Sequence, residues 1–165
     1  LRGASLALVG FMGAGKSTVG AIVARRLGWP FVDLDAWLTE RHGPPGVQFV
    51  RDGEAAFRAR EVEGLALWAR GGPRVLALGG GACLGESNRA VLRAHYRTVY
   101  LRASLEELRR RVGQGRGRPL WDHEVAARLE ARRPRYEEAT VVIDTDGRSP
   151  EEVARAVLQE VACEG

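Results

Sequence analysis

The chain has 165 residues, 25 Lys or Arg against 21 Asp or Glu, a formal net charge of +4 and 45% hydrophobic residues. These values are ordinary for one globular domain large enough to bury a core of its own. No apolar run approaches the roughly 18 residues of a membrane span, and two cysteines without metal or redox spacing give neither a zinc site nor a disulfide framework.

The elements alternate. Leu6-Ala7-Leu8-Val9 reads as a buried strand, followed at once by a glycine loop, so no secretory leader is expected. Val19, Ile22, Val23 and Leu27 give a helix over 18–27, closed by the turn Gly28-Trp29-Pro30. Phe31-Val32 is a short strand that delivers Asp33 and Asp35 at its C-terminal end, before a helix over 36–41. Gly43-Pro44-Pro45-Gly46 breaks that helix, and 47–51 is a short connecting segment. A long helix spans 54–69, with Gly64 inside it as a weak point. Residues 75–78 form a central strand running into Gly79-Gly80-Gly81, and Ser87 is a cap for a helix over 88–94. A strand at 99–101 is followed by a helix to about 112, opened by Ser104 and Glu107 as a capping box. A Gly/Arg-rich stretch over 113–121 precedes a helix over 123–133, a last strand at 140–143 and a C-terminal helix capped by Ser149 with Pro150 in its first turn. Alternating strands and helices predict a parallel sheet covered on both faces.

The most specific stretch is Gly10-Phe11-Met12-Gly13-Ala14-Gly15-Lys16-Ser17-Thr18, which fits the phosphate-binding pattern G-x-x-x-x-G-K-[ST] between a strand and a helix. Its glycines turn backbone N–H groups toward an anion, and the helix N-terminus adds its positive end. Lys16 is set to reach the β- and γ-phosphates and Ser17 to ligate Mg²⁺. Lys16 is also the sole lysine; every other basic residue in a set of 25 is arginine. A composition that avoids lysine this strongly makes its one occurrence here informative. The arginines thicken around 109–118 and 128–135, which suits a small anionic ligand such as a nucleoside triphosphate better than nucleic acid. His42, His95 and His123 belong to no ligand pattern.

Taken together, residues 10–20, Phe-Val-Asp-Leu-Asp at 31–35, Gly-Glu-x-x-Phe-Arg-x-x-Glu at 53–61, Leu-Gly-Gly-Gly at 78–81, Arg-Pro-Leu at 118–120 and Arg-x-Pro-x-Tyr at 132–136 resemble shikimate kinase, in order and over nearly the whole chain. The resemblance implies a three-layer α/β/α P-loop kinase fold of the nucleoside monophosphate kinase kind. Its five-stranded parallel sheet would have order 2-3-1-4-5. It implies one domain over 1–165, with a substrate-binding helical region at about 33–62 and a mobile lid at about 112–124. It implies phosphorylation of the 3-hydroxyl of shikimate by ATP with one Mg²⁺ ion, on the route to chorismate and the aromatic amino acids. A cytoplasmic monomer with no nucleic-acid or membrane partner is expected.

Residue by residue, the resemblance makes Asp35 the group that binds the substrate hydroxyls and accepts the proton, and Asp33 a metal-side acid beside Ser17. Arg58 and Arg132 become carboxylate-binding arginines, and Gly79, Gly80 and Gly81 the substrate-side loop. Gly13, Ala14, Gly15, Lys16, Ser17 and Thr18 hold the phosphates. Arg118 swings onto the transferring phosphoryl group, and Arg111, Arg148 and Pro150 form the adenine pocket. From the residues alone, Asp35 is also a candidate helix cap, and Arg58 and Arg132 compete with neighbouring Arg60, Arg133 and Arg135. Trp121, Arg135 and the 43–49 loop depart from the family pattern. Rival readings are another small-molecule P-loop kinase such as a gluconate kinase, a non-catalytic nucleotide-binding regulator of the same fold, and a nucleic-acid-binding protein resting on charge alone.

Overall fold

The computed structural model describes residues 4–113 and 123–163. Five strands, β1 (Ser5–Val9), β2 (Phe31–Asp33), β3 (Val75–Ala77), β4 (Tyr96–Arg102) and β5 (Val141–Asp144), form one parallel sheet in the order β2-β3-β1-β4-β5. The β1 strand is central and buried at every residue. Its one polar side chain, Ser5, accepts the Arg74 backbone N–H at 3.2 Å, so it does not go unsatisfied in the core.

Among the described residues, eight helices connect and follow the strands: α1 (Lys16–Leu27), α2 (Leu34–His42), α3 (Pro45–Asp52), α4 (Glu54–Trp68), α5 (Glu86–His95), α6 (Leu105–Gly113), α7 (His123–Tyr136) and α8 (Pro150–Cys163). From β1, the chain crosses leftward through α1 to the sheet edge, then returns rightward through the later crossovers. Right-handed connections therefore put α1 on one face and α4 and α5 on the other. The observed packing of α1 with α8, and of α4 with α5, fits this division. The order reverses beside β1, which opens a crevice at the carboxyl ends of the strands.

Several local expectations are corrected. The α3 helix replaces the expected connecting segment: Pro45 starts it, and buried Gln48 anchors it by donating to the Gly43 carbonyl at 2.7 Å and accepting from Arg60 at 3.0 Å. The α4 helix runs unbroken through Gly64, because that position abuts α2; a Cβ there would lie 2.8 Å from Leu34 Cδ1 and 3.1 Å from the Trp37 ring. The α5 helix begins one residue before Ser87, with Gly85 as its cap and no side-chain cap bond. The β4 strand starts directly after α5, and α7 continues through Pro134 to Tyr136. Ser104 does accept the Glu107 N–H at 3.1 Å, but its own N–H goes to Asp146 at 2.9 Å, so the expected box is half formed. At α8 the box is complete: Ser149 Oγ accepts the Glu152 N–H, and the Glu152 carboxylate accepts the Ser149 N–H at 2.8 Å. Among the described residues no helix is long and apolar enough to cross a membrane.

Candidate active site

The phosphate loop joins the end of β1 to the start of α1. Gly10, Gly13 and Gly15 all take positive φ (146°, 83° and 91°), which side chains rarely adopt. No side chain caps α1, so its first-turn N–H groups face the cleft. Lys16 Nζ lies back across the loop and donates to the Gly10 and Phe11 carbonyls at 2.8 and 2.9 Å. Burial pushes its ammonium down to about 8, and the carboxylates of Asp35 and Asp33 hold back part of that shift.

Ser17 donates its hydroxyl hydrogen to the Asp33 carboxylate, which also accepts the Ala36 N–H at 3.0 Å. Asp33, not Asp35, therefore caps the helix, and α2 begins at Leu34, two residues earlier than expected. Asp35 is left in the first turn of α2, free to face the cleft. The paired oxygens of Ser17 and Asp33 at the phosphate-side helix end are the hard donor set Mg²⁺ takes when phosphates and water complete its shell. Among the described residues, no group of three or more His, Cys, Asp or Glu side chains forms a metal cage.

A cleft of about 830 Å³ is lined by Lys16, Ser17, Asp33, Asp35, Gly79 and Gly80, among others. Asp35 is held above the usual carboxylate range by burial and by the charge of Asp33, while Lys16 and Arg58 pull it back. The three glycines after β3 each meet a different charged group. A Cβ on Gly79 would press against the Asp35 carboxylate; one on Gly80 would lie 3.3 Å from Arg132 Nη1; one on Gly81 would lie 2.6 Å from Arg58 Nη2. The glycine run thus lets one carboxylate and two guanidinium groups converge on a single stretch of backbone.

The competing arginines are otherwise engaged. Arg60 pairs with Asp52 at 2.7 Å, Arg133 with Glu130 at 2.7 Å and Arg135 with Glu138 at 2.7 Å. Arg132 instead lies 5.8 Å from the Phe11 ring centroid, close enough to the loop for its charge to act on Lys16.

On the far side of the phosphate loop, a cavity of about 560 Å³ is lined by Ala14, Gly15, Thr18, Arg111, Arg148 and Pro150, with others. Arg111 spans its wall, donating to the Ala14 carbonyl at 3.3 Å and the Thr145 carbonyl at 2.8 Å, and to Glu107 at 2.8 Å. Gly15 and Thr18 line both cavities, so the two adjoin at the phosphate loop. Arg118 and most of the expected lid lie outside the described residues.

Two residues that stand in the quoted motifs without an assigned role, Glu61 and Tyr136, take part in the site. Glu61, 1% exposed, accepts Arg58 Nη1 at 2.7 Å. Its signal was its spacing, three residues along the same helix face. Tyr136, fully buried, donates its hydroxyl to the Gly80 carbonyl at 2.5 Å, and its ring packs 5.2 Å from that of Tyr100. The motif at 132–136 marks Tyr136, but nothing local names a partner 56 residues away.

Residues 12–162 match the family model described as Shikimate kinase. A shikimate kinase of Moorella thermoacetica is 41% identical over 160 residues, covering 94% of this chain and 92% of the relative. The solved structure of a shikimate kinase from Acinetobacter baumannii in complex with shikimate superposes with a TM-score of 0.87 at 33% identity, covering 98% of this chain and 94% of that one. A gluconokinase from Sinorhizobium meliloti, at a TM-score of 0.71 and 24% identity, covers 96% of this chain and 91% of its own and shares the fold alone.

Proposed function

The chain belongs to the shikimate kinase family, and we propose on that premise that it transfers the γ-phosphoryl group of ATP to the 3-hydroxyl of shikimate, giving shikimate 3-phosphate and ADP. The product feeds chorismate and aromatic amino-acid synthesis. The reading rests above all on the glycine run, which brings Asp35, Arg132 and Arg58 to one backbone segment beside the phosphate loop. A carboxylate for a hydroxyl and two guanidinium groups for an anion suit a small hydroxy acid.

Each residue then has a task. Arg58 and Arg132 clamp the substrate carboxylate, and a planar fork suits that pairing. Asp35 binds the attacking hydroxyl and takes its proton as the oxygen bonds to the γ-phosphorus. The β–γ bridging oxygen leaves with its electron pair as part of ADP. Lys16 releases its two loop carbonyls and pairs with the β- and γ-phosphates, together with the N–H groups of 13–18. Arg111, Arg148 and Pro150 receive the adenine. Ser17 and Asp33 would hold Mg²⁺, which would supply charge neutralisation for the triphosphate. Arg118 is assigned to the transferring phosphoryl group on the family resemblance, within a lid at about 112–124. The substrate region covers about 33–62 of a single domain. One chain supplies every group named, so the working unit is the monomer, and ATP as co-substrate puts the enzyme in the cytoplasm.

The test is a coupled assay of ADP release with shikimate, gluconate and other hydroxy acids in parallel. ADP release that depends on shikimate and on none of the others is expected. Release with gluconate but not shikimate would transfer the reading to the rival kinase.

A further inference from the structure

Asn88 lies in the first turn of α5 and is 1% exposed. Its amide nitrogen donates to the Ala82 carbonyl at 2.8 Å and to Glu61 Oε2 at 3.3 Å. Both partners are acceptors, which fixes which end of the amide faces them. The amide oxygen is buried and accepts no hydrogen bond from the described residues. An unsatisfied acceptor costs stability, so what this residue contributes resides in its two donated bonds. Those bonds reach the two elements that meet at Arg58. Glu61 holds the guanidinium from α4, and Ala82 follows Gly81, whose α-carbon faces the same guanidinium.

We propose that Asn88 is a positioning residue for the substrate carboxylate: it ties Glu61 to the glycine loop and thereby fixes Arg58 in the orientation that receives the acceptor. The proposal rests on the shikimate kinase reading. Its chemistry is the upkeep of a buried anion. Burial pushes the Glu61 carboxyl up, as does the charge of Asp35 on α2; the Arg58 guanidinium and the Asn88 amide pull it back. Glu54 on α4 faces the same guanidinium at 3.4 Å, and the Cys83 thiol, which also interacts with Glu61, is raised by burial to about 12 and so stays neutral. If Glu61 takes up a proton, Arg58 loses its buried ionic anchor at 2.7 Å and keeps only the longer contact to exposed Glu54 at 3.4 Å. Asn88 thus adds an uncharged donor that favours the ionised form of Glu61.

The test substitutes Asn88→Leu, close in shape and without the amide. The expected result is a KM for shikimate raised about tenfold, with kcat and the KM for ATP within about twofold of the parent. The acid-side rise in the shikimate KM should begin at a higher pH, because Glu61 then protonates more easily. In a Glu61→Gln background the same substitution should add less than about twofold, since no anion is left to hold. An unchanged KM and pH profile in Asn88→Leu, beside a parent enzyme active on shikimate, overturns the proposal and leaves the function standing. So does full additivity with Glu61→Gln. Absence of shikimate-dependent ADP release by the parent overturns both. If circular dichroism shows that Asn88→Leu does not fold, Asn88→Asp carries the test. Its ionised form repels Glu61, so the KM defect must grow with pH, and a pH-independent defect overturns the proposal.

Discussion

Three residues carry the sharpest tests of the chemistry. Asp35 sits where burial and Asp33 raise its carboxyl, yet Lys16 and Arg58 keep it ionisable. Asp35→Asn is expected to lower kcat by about 10²–10⁴ and to leave ATP binding nearly intact, measured by steady-state kinetics and nucleotide titration. A near-normal kcat would remove the proton-accepting role. Arg58→Ala should act on binding instead. Loss of a charge-assisted pair predicts a KM for shikimate raised roughly 10–100-fold with a smaller change in kcat. Lys16 gives a pH prediction. Its pKa is lowered to about 8 in the free enzyme, so it loses its proton, and its attraction for triphosphate, as pH rises through about 8. Bound phosphates restore that proton. Thus kcat/KM for ATP, which reports the free enzyme, should fall above about pH 8, while kcat holds to higher pH. Parallel profiles for the two would show that another group sets the alkaline limb.

Between elements, small residues set how closely helices and loops approach. At Gly64 a methyl group would press on Leu34 and Trp37 of α2. Overpacking of that kind costs about 1–3 kcal/mol, against a gain of about 1 kcal/mol in helix propensity. Gly64→Ala should therefore lower stability by about 1 kcal/mol and Tm by a few degrees, read by thermal melting. Gly79→Ala should do the opposite kind of damage. Its methyl group meets the end of the Asp35 side chain, 2.9 Å from Cγ, and not packed backbone. Folding should survive while Asp35 is displaced, and a displacement of about 1 Å can cost about 10²-fold in rate. These contacts also explain what the sequence concealed. Gly64 reads along the chain as a helix defect, and only the neighbouring helix gives it a purpose. The α3 helix was hidden because it is eight residues long, lies between prolines and glycines, and leaves Val47, Phe49 and Val50 exposed, so its apolar pattern does not point inward.

At the scale of the molecule, what could be read along the chain was what is local to it. The phosphate loop carries its strand, turn and helix within a few residues, and the alternation of strands and helices settles a parallel α/β sheet. The strand order came from family resemblance, since spacing alone does not decide which strand lies beside β1. The acceptor side was legible only as separate pieces: Asp35, Arg58, Gly79 and Arg132 are ordinary residues until β3 carries the glycine run between α2, α4 and α7. Glu61 and Tyr136 acquire meaning from partners on that run or in its grip, and Asp33 caps α2 in place of Asp35 through one carboxylate oxygen while the other takes the hydroxyl of Ser17, sixteen residues earlier. The central claim is that this cleft directs the γ-phosphoryl group to one hydroxyl of shikimate, and ³¹P–¹H correlation NMR of the reaction product measures that directly. One phosphorylated product is expected, formed one-for-one with ADP, whose phosphorus couples to the proton on carbon 3. Phosphorus coupled to another ring position, or ADP formed without phosphorylated shikimate, would contradict it.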